Sequence, residues 1–186
     1  MNFFKKISKR NKIIFLIVII CIVMIWYVAS YNRFQEYVIR INEAEIDIDS
    51  TLRKRYDLLN KSIDVIKTVT KEEDVLKIIS EMRSQRLNNF DLDRKLYEAI
   101  NEFNKYKENN NDLRKNESFI KIDVSLNESE AEIEALRKYY NDIISDYNKI
   151  IKTIPSNIVA KLSKLKTKDY FDGKDLSENG KAVTKI

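Results

Sequence analysis

The stretch IEALRKYYNDIISDYNKIIKTI (133–154) decides the fold class. Its apolar and aromatic side chains recur at alternating steps of three and four residues, the pattern of a helix that packs along one seam in a bundle or coiled coil. The seam residues are Ile133, Leu136, Tyr140, Ile143, Tyr147, Ile150 and Ile154. Pro155 ends the pattern and can start a short helix over 156–165. The stretch therefore predicts a long helix followed by a short one.

Two further helices are predicted upstream of this seam. Gly and Pro are absent from residues 1–154, and a three-four rhythm of apolar residues over 38–66 indicates a first helix that continues to about Val69. A second apolar stripe over 75–106 predicts another helix, with a break at 88–89. Because each stripe needs a partner surface, the sequence predicts an elongated antiparallel bundle of three long helices plus a short fourth.

Two Ser/Thr-x-x-Glu matches suggest where these helices begin. Thr70 with Glu73 would open the second helix, and Ser125 with Glu128 would open the third. Between them, residues 108–122 are polar and rich in Asn, which is typical of a loop.

A stretch of seventeen residues near the N-terminus, IIFLIVIICIVMIWYVA (13–29), contains no charged side chain. As a helix it would span about 25 Å, and it is apolar on its whole circumference, unlike a helix of a soluble core. Trp26 and Tyr27 stand where an interfacial aromatic belt belongs. The run is longer than that of a usual signal peptide and lacks a good cleavage site, so we predict an uncleaved membrane anchor over 13–30.

The net charge of +5 lies wholly in residues 1–12, so residues 13–186 are neutral and give no basis for a nucleic-acid partner. Positive charge beside an anchor marks its cytoplasmic side, which predicts a cytoplasmic N-terminus and an extracytoplasmic body. The predicted membrane-interface residues are Lys5, Lys6, Lys9, Arg10, Lys12, Trp26 and Tyr27.

The composition argues against most catalytic chemistry. The chain has no His, one Cys and two Gly, which excludes His-based acid–base pairs and leaves little for a zinc site or a phosphate-binding loop. Asp123, Ser125 and Asn127 alternate like calcium ligands, but Glu128 stands where such a loop needs Gly. We predict no catalytic, cofactor or metal residues; a Ser/Lys hydrolase is the most distant alternative.

Two motifs remain that could be structural or could bind a partner. Residues 53–55 form a basic triplet, which would either hold an anionic lipid or partner or lie on a solvated face paired with acids of a neighbouring helix. Tyr-Asn pairs occur at 31–32, 140–141 and 147–148. The last two pairs are seven residues apart on one face, where the tyrosines would pack in the seam and use their hydroxyl groups on buried partners.

At this point the chain resembles the LemA family. The resemblance lies in YN directly after the apolar stretch, in EAEIDIDSTLRKRYDLLNKSIDVIK (43–67), in KNESF (115–119), in 132–160 and in YF at 170–171. Asn60 and Glu72-Glu73 depart from residues common in the family. The resemblance implies a helical bundle on a membrane anchor and no enzymatic activity. The candidate structural or partner residues are Tyr31, Asn32, Arg53, Arg55, Asp57, Arg137, Tyr140, Asn141, Tyr147, Asn148 and Pro155.

The sequence thus predicts a basic flank (1–12), an anchor (13–30), a helical-bundle domain (31–168) and a polar, flexible tail (169–186). The predicted function is a non-catalytic, membrane-anchored scaffold or docking protein of a bacterial cell envelope. Its partners would be the lipid bilayer and unidentified proteins, with homo-oligomers possible. The alternative is a membrane-anchored sensor or signalling stalk whose helix packing responds to a ligand or a partner.

Overall fold

The computed structural model describes residues 9–171, of which 83% are helical. The helices are α1 Lys9–Thr70, α2 Lys77–Met82, α3 Asn89–Asn109, α4 Glu117–Lys152 and α5 Ser156–Leu162, with one 3-10 turn at Leu113–Lys115. No strand occurs among these described residues. The predicted all-α fold with three long helices is confirmed, and the described chain contains one short helix, α2, in addition to the short helix that was predicted.

The described chain forms two compact units. The first unit contains residues 9–40 and 143–168, and the second contains 41–142 and 169–171. Helices α1 and α4 each contribute residues to both units. Because these units are defined by packing, the predicted domain boundaries at residues 30 and 168 stay predictions.

The long helices of the second unit are antiparallel neighbours. Between α1 and α4, Glu45 contacts Tyr140 and Arg55 contacts Glu130, so positions further along α1 meet positions earlier in α4. The ion pairs between α3 and α4 follow the same reversed order. The antiparallel arrangement predicted from the stripes is therefore present in this unit.

The core of the second unit follows the three-four rhythm of each helix. Its fully buried apolar side chains include Ile41, Ile48, Leu52, Leu59, Ile66, Leu96, Ala99, Phe103, Phe119 and Ile133. The rings of Phe103 and Phe119 stack with their centroids 4.6 Å apart and join α3 to α4. Burial of such side chains, at about 25 cal/mol per Å² of apolar surface, stabilises the unit.

The segment between α1 and α3 differs from its prediction. Thr70 is the last residue of α1 and donates its hydroxyl hydrogen to the Ile66 carbonyl oxygen at 2.9 Å, so the predicted capping box at Thr70 is wrong. Helix α2 begins only at Lys77, after Leu76, which has φ 46° and whose N–H donates to a carboxylate oxygen of Glu102. The predicted break at 88–89 is confirmed, since Asn88 caps α3 and its side chain accepts from the N–H of Asp91.

Helix α4 begins earlier than predicted. Asn116 accepts the N–H of Phe119 on its side-chain oxygen at 3.1 Å, and the helix starts at Glu117. The predicted cap at Ser125 and Glu128 is therefore wrong, because both residues lie inside α4. Two residues of the KNESF motif thus have structural roles, since Asn116 caps α4 and Phe119 is buried in the core.

The seam of α4 is confirmed over most of its length. Ile133, Tyr140, Ile143 and Tyr147 are buried, as the spacing predicts. Ile154 is 77% exposed, because α4 ends at Lys152 before the seam reaches it.

The chain after α5 continues without helix from residue 163 to 171. Phe171 is buried and hydrogen-bonded to Asn141, and the polar, flexible tail predicted over 169–186 stays a prediction. The remainder of that predicted tail, 172–186, lies outside the described residues.

The N-terminal part of α1 contains the apolar stretch. Its most apolar window has a mean hydropathy of 3.0 over eighteen residues and is covered by no part of the described chain. It is the one helix of the described residues that is long and apolar enough to cross a membrane.

Candidate functional site: a buried charge network and two backbone clamps

A buried ion pair joins α3 to α4 in the second unit. The guanidinium of Arg137 donates from Nη2 to the carboxylate of Asp93, and both side chains are only 9% exposed. Arg137 was a predicted motif residue, whereas Asp93 was not. Asp93 lies between Leu92 and Leu96 on the buried face of α3, where an acid needs a partner.

A second buried pair joins α1 to α4. Nη2 of Arg55 donates to Glu130 at 2.5 Å, and the Arg55 side chain is 4% exposed. Arg55 and Glu130 both act electrostatically on Asp93, so the two ion pairs form one charge network with Arg137. We call these four residues the buried charge network. It connects α1, α3 and α4.

Burial is the main influence on the acid of this network. Loss of water raises the pKa of the Asp93 carboxyl above its ordinary value, and the hydrogen bond and positive charge of Arg137 oppose that rise. Desolvation therefore outweighs attraction at Asp93. We therefore expect the intact pair to add little net stability, although loss of one partner alone would be costly.

The basic triplet is divided between surface and core. Arg53 is exposed and pairs within α1 with Asp49 at 2.7 Å, while Lys54 reaches Glu132 of α4 at 3.6 Å. Pairing with acids of a neighbouring helix was one of the two interpretations of this triplet. That interpretation also placed the triplet on a solvated face, which is wrong for Arg55. The Arg55 side chain is buried, and Glu130 of α4 supplies its counter-charge.

Tyr140 is the centre of an aromatic cluster in the second unit. Its ring makes edge contacts with Phe90 at 6.4 Å and with Phe171 at 5.8 Å, and the latter two rings stack at 4.5 Å. Its hydroxyl group lies 3.4 Å from a carboxylate oxygen of Glu45 and 3.5 Å from the Asp169 carbonyl oxygen. The tyrosine thus packs in the seam and uses its hydroxyl group, as the spacing predicts.

Asn141 holds the backbone of Phe171 with both ends of its side-chain amide. Its Nδ2 donates to the Phe171 carbonyl oxygen at 2.9 Å, and its Oδ1 accepts the Phe171 N–H at 2.6 Å. The amide therefore makes both hydrogen bonds that a paired β-strand would make to the backbone of one residue. We call this arrangement a backbone clamp.

The first unit contains the same arrangement. Asn148 is buried; its Nδ2 donates to the Lys168 carbonyl oxygen at 2.8 Å, and its Oδ1 accepts the Lys168 N–H at 2.9 Å. Tyr147 beside it contacts the rings of Phe34 and Tyr37 at 6.4 and 6.5 Å. Sequence reasoning placed both asparagines beside the seam but missed the clamps, because their partners are backbone groups.

The remaining candidate motif residues do not join these sites. Tyr31, Asn32 and Asp57 are exposed, and Pro155 is the exposed N-cap residue of α5.

The predicted membrane-interface residues are spread over the start of the chain. Lys5 and Lys6 lie outside the described residues, and Lys9 and Arg10 begin α1. The side chains of Arg10 and Lys12 are exposed, whereas Trp26 and Tyr27 are half-buried. The interface role of these residues stays a prediction.

We expect Asn141→Ala to release residues 169–171, because two hydrogen bonds to buried backbone groups are lost at a cost of about 1–3 kcal/mol. Hydrogen exchange followed by mass spectrometry should show faster exchange of the Phe171 amide. Asn141→Asp keeps the acceptor but cannot donate, so it should give an intermediate rate. The exposed neighbour provides the control, Asp142→Ala, and equal Phe171 exchange in Asn141→Ala and this control would contradict the clamp.

Tyr140 should resist ionisation in the folded protein. Burial first, and then the negative charge of Glu45, raise its pKa well above the value of about 10 found in an unfolded chain. Because the folded pKa is the higher one, the stability that Tyr140 contributes is present below about pH 10 and is lost as the pH rises further. A pH titration followed by tyrosinate absorbance should show one fewer tyrosine with a raised pKa in Tyr140→Phe than in the unaltered chain. Equal titration curves for the two proteins would reject the raised pKa of Tyr140.

These features define a class: an all-α bundle protein whose first helix carries an exposed apolar stretch and whose core contains paired charges. The model of the LemA family matches residues 44–185, which is most of the chain. The chain therefore belongs to the LemA family, as its resemblance predicted, and the apolar stretch precedes the matched part. The LemA family is not a known family of enzymes. No curated protein matches the chain.

Proposed function

We propose that the protein is a non-catalytic, single-pass membrane protein whose helical body serves as a scaffold or docking surface at a bacterial cell envelope. The observation that carries this proposal is the uncovered apolar stretch, which continues without interruption into the first bundle helix. An apolar helix that the protein itself leaves uncovered needs another apolar environment, and its length suits a bilayer.

Membrane fractionation tests the anchor. The full chain should remain in the pellet after washing at alkaline pH, because an inserted helix is not released by loss of electrostatic contacts. A variant with Val18→Lys and Ile22→Lys places two charges in the apolar stretch, each costing about 2.5–3.5 kcal/mol at the membrane centre, and should be released. Release of the unaltered chain would reject the anchor.

The proposed topology has a cytoplasmic N-terminus and an extracytoplasmic body. Five positive charges precede the anchor, whereas Arg40 beyond it is paired with Glu36 on the same helix. Ser50 of α1 is exposed and lies outside every surface assigned to a partner, so Ser50→Cys in a Cys21→Ser background offers a single thiol for an impermeant reagent. We expect labelling in intact cells; labelling only after lysis would reverse the topology.

The scaffold role is supported by how the polar side chains are used. Arg55, Arg137, Asn141 and Asn148 satisfy internal partners and hold helices and backbone together. Docking then falls to exposed apolar residues, such as Ile120 and Val124 one turn apart on α4. A partner that seats on this surface would bury them.

In-cell photo-crosslinking tests docking. A photoreactive residue at Val124 should give an adduct of one discrete size, and the same residue at the exposed Lys138 of α4 is the control. An adduct of twice the chain mass would identify a second copy as the partner. Equal adduct patterns at both positions, or none from Val124, would count against a docking surface there.

One observation favours the alternative of a sensor. A cleft of about 250 Å³ in the second unit is lined by Arg55, Glu130, Asp123 and amide side chains of α3 and α4. A ligand there would reach the buried charge network and could shift helix packing only by binding one arrangement more tightly than another. Thermal-shift measurements with small cations and polar metabolites test this; the absence of any shift would leave the scaffold as the sole proposal.

A further inference from the structure

The first unit presents an apolar face that the described chain does not cover. Ile158 and Leu162 are four residues apart on α5 and are 53% and 68% exposed, and Ile154, in the turn before α5, is 77% exposed. Val159 and Ala160, on the other side of α5, are buried. Helix α5 therefore carries apolar side chains on two sides. Those on one side pack against the protein, and those on the other side are exposed.

Exposed basic residues lie before, within and after α5 in the sequence. Residues 147–168 contain six lysines and no acid, although residues 13–186 are neutral as a whole. Five of these lysines are exposed: Lys149, Lys152, Lys161, Lys164 and Lys166. Exposed apolar residues in a lysine-rich segment without acids are typical of a helix that lies in the interface of an anionic membrane.

The same unit holds this helix beside the end of the apolar stretch. The hydroxyl oxygen of Ser163, the residue after α5, lies 3.5 Å from the hydroxyl oxygen of Tyr27. Tyr27 belongs to the aromatic pair at the C-terminal end of the stretch, where the headgroup region of a bilayer would begin. The contact thus brings the end of α5 to the depth at which interfacial helices lie.

We propose that α5 and the turn before it form a second membrane contact, in which Ile154, Ile158 and Leu162 enter the headgroup–acyl boundary and the neighbouring exposed lysines bind anionic lipid headgroups. This inference rests on the proposed anchor and deepens it. The anchor is then fixed by two elements distant in sequence, which limits how the first unit can turn about the axis of α1.

Fluorescence quenching by lipids brominated in their acyl chains tests the proposal. The full chain with Cys21→Ser and Ile158→Cys carries an environment-sensitive dye at residue 158 and is reconstituted in phosphatidylcholine–phosphatidylglycerol vesicles. Trp26 is the single Trp and reports the anchor independently. We expect quenching of both Trp26 and the dye, with a blue shift of the dye emission.

Ile39→Cys in the same background is the matched control. Ile39 is an isoleucine of the first unit that is 56% exposed and lies about 18 Å of helix beyond Tyr27, so its dye should not be quenched. Unquenched Trp26 would reject the anchor itself. Quenched Trp26 with an unquenched dye at residue 158 would overturn only the inference. A blue shift at 158 without quenching, together with crosslinking between copies, would assign the face to a second chain and also overturn it.

The triple variant Lys161→Gln, Lys164→Gln and Lys166→Gln tests the electrostatic part. Each lysine near an anionic surface shifts the docking equilibrium about fivefold, so the variant should lose dye quenching in anionic vesicles while Trp26 stays quenched. In vesicles of pure phosphatidylcholine, the dye-labelled chain that keeps these three lysines should likewise show no quenching of the dye. Unchanged quenching of the dye in the triple variant would overturn the assignment of the lysines to lipid headgroups.

Discussion

Arg137→Met is expected to lower the free energy of unfolding by about 3–5 kcal/mol, because it leaves the Asp93 carboxylate buried without its counter-charge. Both side chains are only 9% exposed, so the carboxylate would lose its hydrogen-bonded partner in a poorly hydrated position. Urea titration of the full chain in mild detergent, followed by far-UV circular dichroism, measures the loss as a lower midpoint at similar slope.

The double variant Arg137→Met with Asp93→Leu separates the cost of an orphaned charge from the value of the pair. Since desolvation outweighs attraction at Asp93, removal of both charges should recover most of the loss and can exceed the stability of the unaltered chain by about 1–4 kcal/mol. Lys121→Met removes an exposed pair with Glu117 and should change stability by less than about 1 kcal/mol. A double variant as unstable as Arg137→Met would show that the pair itself stabilises the bundle.

The regular part of this fold could be predicted from spacing alone. Tyr140 and Tyr147 are buried because a repeat of three and four residues keeps them on one face of α4, and that repeat is visible in the sequence. Helix starts were less predictable. The Ser125/Glu128 match is a pattern of only two residues, and the same pattern also occurs inside helices. Here both residues lie inside α4, which begins after its cap at Asn116.

The partners of the buried polar groups could not be predicted, for a different reason. Asp93 and Arg137 are 44 residues apart, and only the packing of α3 on α4 brings them together. Asn141 and Asn148 bind backbone groups, which carry no sequence signal, in a segment whose composition is polar. A charged or amide residue on an apolar face indicates that a partner exists, but not which one.

Local charge was hidden by averaging in a similar way. Residues 13–186 have no net charge, and the sequence therefore gave no basis for a nucleic-acid partner. The net charge of this long segment does not show that residues 147–168 contain six lysines and no acid. The rule that orients a membrane helix counts charges near its ends in sequence, so it does not count these lysines. Only the contact of Ser163 with Tyr27 brings this segment to the end of the apolar stretch.

Phe171→Ala is expected to cost about 3–5 kcal/mol of unfolding free energy, the usual range for a buried phenylalanine. Phe171 is 3% exposed, stacks on Phe90 and meets the edge of Tyr140, so the truncated side chain leaves a cavity among aromatic rings that cannot close without moving α3 or α4. The same urea titration measures the loss.

The adjacent residue supplies a matched control for this prediction. Tyr170 is 45% exposed, and Tyr170→Ala should change stability by less than about 0.5 kcal/mol although it removes a side chain of similar size. The clamp at Asn141 makes the two effects separable, because it holds the backbone of Phe171 in both variants. If Phe171→Ala left the urea midpoint unchanged while the amide of Phe171 exchanged rapidly, residues 169–171 would detach before the bundle unfolds, and their burial would not contribute to the stability of the second unit.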